Sequence, residues 1–189
     1  MADHCSMTEE EIATARAKWR YRGQTRPPWA IEPQAGQESV WDYPRPPSVD
    51  PSDQLVEIKT ADGVLVSSSR RTVRIKETAG APTYYIPPDD VKMELLAPEQ
   101  GCSFCEWKGS TSYWSVKTTA SVIRSACWSY PHPLEGYEAV KGYIGFYPGK
   151  LECYVDGERV SPQPGEFYGG WVTHNIVGPM KGEPGTGWW

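Results

Sequence analysis

The densest mixture of reactive and aromatic side chains lies in Cys105-Glu106-Trp107-Lys108-Gly109, followed closely by Tyr113-Trp114. A turn at Gly109 would set Lys108 just before a strand that carries both rings. A lysine among rings can hold an anion, exchange a proton if desolvated, or cap a sheet edge. Glu77 follows a basic stretch containing Arg70, Arg71, Arg74 and Lys76, so Arg70, Arg71 or Lys108 could pair with it. One carboxylate, one lysine and nearby tyrosines (Tyr84, Tyr85, Tyr113) suffice for proton transfer or for gripping a polar ligand. The same residues also read as an ordinary cross-strand ion pair, which is worth little. Glu77, Lys108 and Tyr85 are the candidate catalytic groups. Arg71, Tyr113, Trp114, Trp128, Tyr130 and Trp41 are the candidate ligand-binding groups.

Other chemistries lack their residues. Cys102-x-x-Cys105 is half of a zinc-ribbon pattern, but no second pair follows, and Cys127 and Cys153 stand alone. A site built from all four thiols is the alternative; no metal or cofactor is assigned. Cys105 as a nucleophile would need a neighbouring base or a depressed pKa. His4, His132 and His174 sit in polar or proline-flanked contexts, with no Ser-His-Asp grouping. The net charge of −5, with no long basic stretch, argues against binding nucleic acid through its phosphates. No apolar run approaches the ~18 residues of a membrane span. Met1 to Glu11 is polar and acidic, unlike a signal peptide, so the expected location is the cytoplasm. Five cysteines, an odd number, are there expected to be reduced.

These groups must be positioned by strands. Thr8-Glu9-Glu10-Glu11 has capping-box spacing and predicts a helix from Glu9 to about Arg20. Gln24 to Pro51 is a proline-rich arm; Trp29, Trp41 and Tyr43 within it predict that it packs onto the domain. Residues 1–51 thus form a helix and arm, and residues 52–189 a β-rich domain. Leu55–Thr60 and Val64–Ser67 read as a hairpin on Asp62-Gly63, followed by strands at Val73–Lys76 and Thr83–Ile86. Asp89 could cap a short helix, Asp90–Leu96. Ser112–Lys117 and Ala120–Tyr130 read as a hairpin. Tyr143–Tyr147 and Leu151–Val160 add three more strands, with Asp156-Gly157 as a turn. Closely spaced short strands predict a mainly β fold rather than alternating β-α-β units.

Nine tryptophans and eleven tyrosines make this a core of large rings, or a ring-lined pocket. Trp41-x-Tyr43-Pro44-x-Pro46 recurs as Trp128-x-Tyr130-Pro131-x-Pro133. Residues two apart share a face of extended chain, so each copy presents a Trp and a Tyr together before leaving at proline. The repeat is either a sheet-exit device used twice or two ring pairs lining one cavity.

Four ordered motifs carry a family resemblance: Gln37 to Pro47, Tyr84-Tyr85-Ile86-Pro87-Pro88-Asp89-Asp90-Val91, Cys105 to Gly109 with Tyr113-Trp114, and Ala126 to Pro131. Together they resemble the domain of unknown function 427 family, also labelled nucleotidyltransferase-like. The tail, Phe167 to Val172 and Gly185 to Trp188, is similar to a longer bacterial and fungal subgroup. The resemblance implies a compact two-sheet β-tent fold, an architecture whose relatives include zinc-bearing proteins and a tryptophan-cage module. The residues do not carry the transferase label, since nucleotidyl transfer gathers magnesium between carboxylates and Asp89-Asp90 reads as a helix cap. Three functions compete: an acid–base enzyme on a small organic substrate, a non-catalytic Trp/Tyr cage, and a structural protein docking through its arm.

Overall fold

The computed structural model describes residues 5–189, so His4 lies outside the described residues. The helix runs Glu9–Ala17, somewhat short of the expected Arg20. Thr8 Oγ1 accepts the Glu11 N–H at 3.2 Å, and the Glu11 carboxylate accepts the Thr8 N–H at 2.8 Å. This reciprocal pair satisfies two donors that a helix start otherwise leaves unpaired. The helix buries none of its residues. It is anchored instead by Arg16, whose Nε donates to the Glu106 carbonyl at 2.8 Å and whose guanidinium lies 4.9 Å from the Trp107 ring centre.

Strands follow the predicted order closely. Seven of them, all antiparallel, form one sheet in the order 48–52, 72–76, 83–86, 144–146, 122–129, 112–117, 96–98. A second antiparallel sheet orders strands 158–159, 152–155, 56–59 and 65–69. Asp156 and Gly157 both take positive φ (48° and 83°), the conformation of the tight turn that matches strand twist. The fold is mainly β, with the helix and three 3-10 turns as its remaining regular elements among the described residues. Among the described residues, no helix is long and apolar enough to cross a membrane.

Strand alternation gives the large sheet two buried faces. Tyr84, Ile86, Cys127, Ile144 and Phe146 point at Val56, Ile58 and Val66 of the small sheet, forming the main core. Their neighbours Tyr85, Trp128 and Tyr130, with Val73 and Ile75, form a second apolar cluster on the opposite face. A third cluster belongs to the arm: Trp41, fully buried, meets the edges or tilted faces of Tyr21, Trp29 and Trp189 at 5.3–6.3 Å. The arm ends as strand Ser48–Ser52, paired with Thr72–Lys76 at the sheet edge, where Pro51 is tolerated.

Two expectations fail. No helix spans Asp90–Leu96; two 3-10 turns, Pro88–Asp90 and Met93–Leu95, lead into strand Leu96–Pro98. Asp89 caps nothing, and Asp90 instead accepts Ser69 Oγ at 2.6 Å and Arg71 Nη2 at 2.5 Å. The thiols are not all reduced either: Cys5 and Cys102, 97 residues apart, form a disulfide. Sequence spacing could not foresee that the helix anchor brings Cys5 to the 102 loop. The disulfide also removes Cys102 from the four-thiol zinc set.

Alkylation should therefore resolve three levels. Native protein should label Cys105 first, because Cys127 and Cys153 are buried and the burial pushes the Cys127 thiol up to about 12. Unfolding without reductant should expose three thiols, and reductant should raise the count to five. Loss of the cross-link should cost about 2–4 kcal/mol of stability in a denaturant titration.

Candidate functional site

A cavity of about 240 Å³ opens on the second face of the large sheet. Its walls come from residues two apart: Ile75 and Glu77, Thr83 and Tyr85, Thr111 and Tyr113, Trp128 and Tyr130. Period-two alternation is the reason, since each pair projects from one side of extended chain. Trp19 and the 103–106 segment, with Cys105, close one side; Gln163, Phe167–Gly170 and Lys181 close another.

Trp128 is the central ring. Its indole N–H donates to Tyr85 Oη at 3.2 Å, and Tyr147 lies against it with ring centres 4.4 Å apart. Gly145 lies beneath it, where a Cβ would come within 2.7 Å of the indole; at Gly169 a Cβ would overlap it. Glycine at both positions is what lets the backbone approach the ring. Gln163, also buried, spans the closing segments: its Oε1 accepts the Ala81 N–H at 2.7 Å and its Nε2 donates to the Lys181 carbonyl at 2.9 Å.

The charged groups are unevenly satisfied. Glu77 Oε1 accepts Arg45 Nε at 3.0 Å and lies 3.4 Å from Lys181 Nζ. Arg45 is held by the carbonyls of Tyr21, Thr78 and Trp189, and its guanidinium stacks 4.2 Å from the Trp19 ring centre. Lys181 Nζ approaches the same ring at 4.6 Å. Trp19 in turn donates its indole N–H to Glu106 Oε1 at 2.6 Å. Lys108 differs. It is only 8% exposed, its Nζ lies 5.8 Å from the Tyr130 ring centre, and it forms no hydrogen bond or ion pair among the described residues.

Protonation follows from these contacts. Burial disfavours an ionised Glu77, but Lys181, Lys108 and Arg45 outweigh it and hold the carboxyl below the usual range. Burial likewise opposes a charged Lys108; Cys105, Tyr85 and Glu77 outweigh it and raise its pKa. Burial raises the phenols of Tyr85 and Tyr130. Lys181 is pulled below its usual value by burial, with Glu77 opposing.

The cavity thus brings together Glu77, Tyr85, Lys108, Tyr113, Trp128 and Tyr130. Three expected members lie elsewhere. Arg71 is an exposed partner of Asp90. Trp114 alternates with Tyr113, so it faces the inter-sheet core, and its indole N–H donates to Ser129 Oγ at 3.2 Å. Trp41 belongs to the arm cluster, so the two Trp-x-Tyr-Pro repeats do not line one cavity. Arg45, Lys181, Gln163 and Tyr147 were missed. Only Tyr147 carried a signal, as the end of a predicted strand.

Residues 48–157 match the family model described as "Domain of unknown function (DUF427)". A search of curated proteins found no match. The matched stretch contains the sheet-borne wall, from Ile75 to Tyr147, whereas Trp19, Arg45, Gln163 and Lys181 lie outside it.

The ion pair has a pH signature. A carboxyl with a depressed folded pKa stabilises the fold above its unfolded value, near 4.3, and that contribution disappears as pH falls through the folded value. Urea titrations from pH 7 to 3 should show this acid-limb loss in the wild type and a shallower one in Glu77→Gln. The variant should also be less stable at pH 7 by roughly 3 kcal/mol, because Arg45 loses its buried counter-ion. Gly169→Ala should displace the Trp128 ring and cost about 1–3 kcal/mol, read as a shift in tryptophan emission and a lower denaturation midpoint.

Proposed function

The chain belongs to the family described as domain of unknown function 427, and we propose that its cavity holds a small organic molecule against Trp128 through fixed hydrogen-bond donors. One observation carries this reading: aromatic rings together with Lys108, Tyr85 and Glu77 line one cavity. Mostly apolar walls with a few convergent polar groups are what small-molecule sites are made of. A volume of about 240 Å³ is below the roughly 300 Å³ at which drug-sized sites begin, so the ligand is small.

Proton exchange is the weaker use of these groups. An efficient general acid or base has a pKa near the working pH. Here Glu77 is biased toward its ionised form, and Lys108 and Tyr85 toward their protonated forms. Such groups orient a ligand or stabilise negative charge that develops on it. An enzyme built on this site would work as an oxyanion-type stabiliser, with Lys108 and Tyr85 as donors and Glu77 balancing charge.

A fluorescence screen against small planar metabolites tests the reading. Hits should quench wild type and Trp114→Phe alike, since Trp114 lies outside the cavity, and should be weakened in Trp128→Phe to what Trp19 on the other wall contributes. Circular dichroism should show both variants folded. Quenching that survives Trp128→Phe unchanged, or a screen with no hits at millimolar ligand, would overturn it.

A further inference from the structure

The charges around the cavity are unevenly paired, and that narrows the ligand. Lys108 and Lys181 line the cavity with Glu77 and Glu106, and Arg45, outside the lining, pairs with Glu77 from behind. Two of the cations are committed: Arg45 and Lys181 both reach Glu77 Oε1, and both lie over the Trp19 ring. Glu106 takes the Trp19 indole N–H. What remains is the Lys108 ammonium, more than nine-tenths buried, lining the cavity, with no hydrogen bond from Nζ among the described residues.

An ammonium largely withdrawn from bulk water and without a protein partner favours an acceptor placed within its reach. The tyrosines beside it are neutral donors, able to accept only through the phenol oxygen. Lys108 Nζ is not among the fully buried polar atoms that lack a partner, so it is reached from the cavity, where an anionic oxygen on a ligand would pair it. The protein as a whole carries −5, so this positive spot is a local arrangement and not a reflection of bulk charge.

We propose that the cavity selects a monoanionic planar ligand, a carboxylate or an equivalent oxyanion on a conjugated body, with Lys108 Nζ pairing the anion and Trp128 covering the plane. The inference rests on the small-molecule reading above and adds the charge class. Tyr85 and Tyr130 flank Lys108 on the same wall and would complete the oxygen's hydrogen bonds. Cation, neutral molecule and dianion each fit worse: the first meets the Lys108 ammonium, the second leaves it unpaired, and the third brings a second charge that no free cation among the described lining residues matches.

Three probes of one size separate these cases: benzoate, benzamide and benzylammonium, titrated against the full chain by tryptophan quenching and calorimetry. Benzoate should bind at least tenfold more tightly than the other two, and Lys108→Met should reduce it to the benzamide level. Lys108→Met is close in volume and removes an unpaired charge, so it should retain its fold; the wild-type comparison needs no variant in any case. Equal or tighter binding of benzamide or benzylammonium overturns the charge class while leaving the cavity as a ligand site. Benzoate affinity unchanged in Lys108→Met overturns the role of that residue and with it the proposal. Binding of none of the three also overturns it, and the metabolite screen then decides separately whether the cavity takes any ligand.

Discussion

Arg45 and Glu77 meet at the point where three parts of the chain come together. Arg45 comes from the proline-rich arm, Glu77 from the end of a central strand, and Lys181 reaches the same carboxylate oxygen from the tail. A buried charge is tolerated only when its hydrogen bonds are met, and the arginine fork meets them with one carboxylate and three backbone carbonyls. Those carbonyls belong to Tyr21, Thr78 and Trp189, so a single side chain ties the segment after the helix, the strand end and the C-terminal residue. Removing it would leave Glu77 with Lys181 alone and several backbone acceptors unpaired at once. Trp19, covered by both cations, extends the same junction to the cavity wall.

The second constraint is that the large sheet is buried on both faces. Tyr84 and Tyr85, like Cys127 and Trp128, are neighbours in sequence and belong to different clusters. One face builds a conventional inter-sheet core, which stabilises the fold. The other is left to rings, one lysine and the loops that close over them. Under the proposed function, the arrangement separates stability from recognition: residues facing the core serve packing, and those facing the cavity serve ligand contact. The family match covers the strands of both faces, whereas the junction residues Arg45 and Lys181 fall outside the matched stretch. The sheet-borne wall and the closing 103–106 segment lie within the matched stretch, and the rest of the closure comes from segments flanking it.

Charge follows from that closure. The junction neutralises Glu77 with two cations, which leaves Lys108 without a carboxylate of its own. Fixed donors around an unpaired ammonium suit the holding of a small electron-rich molecule better than the shuttling of a proton.

Much was legible in the residues themselves, because the interactions involved are local. The capping box at Thr8 and Glu11, the Asp-Gly turns and the hairpin strands depend on neighbours a few positions away. So does the shared face of Trp128 and Tyr130. The same alternation rule, applied to Tyr113 and Trp114, would have excluded one of that pair, but not said which. The choice of face was made by the partner sheet. Nor could spacing reveal that Cys5 meets Cys102, that Trp41 belongs to the arm cluster, or that Arg45 and Lys181 converge on Glu77 from 32 and 104 residues away. The sequence by itself determined which residues alternate, turn and cap. The tertiary structure decided which alternating set faces the cavity and which charges are left unpaired there, since both depend on what distant segments bring to each face.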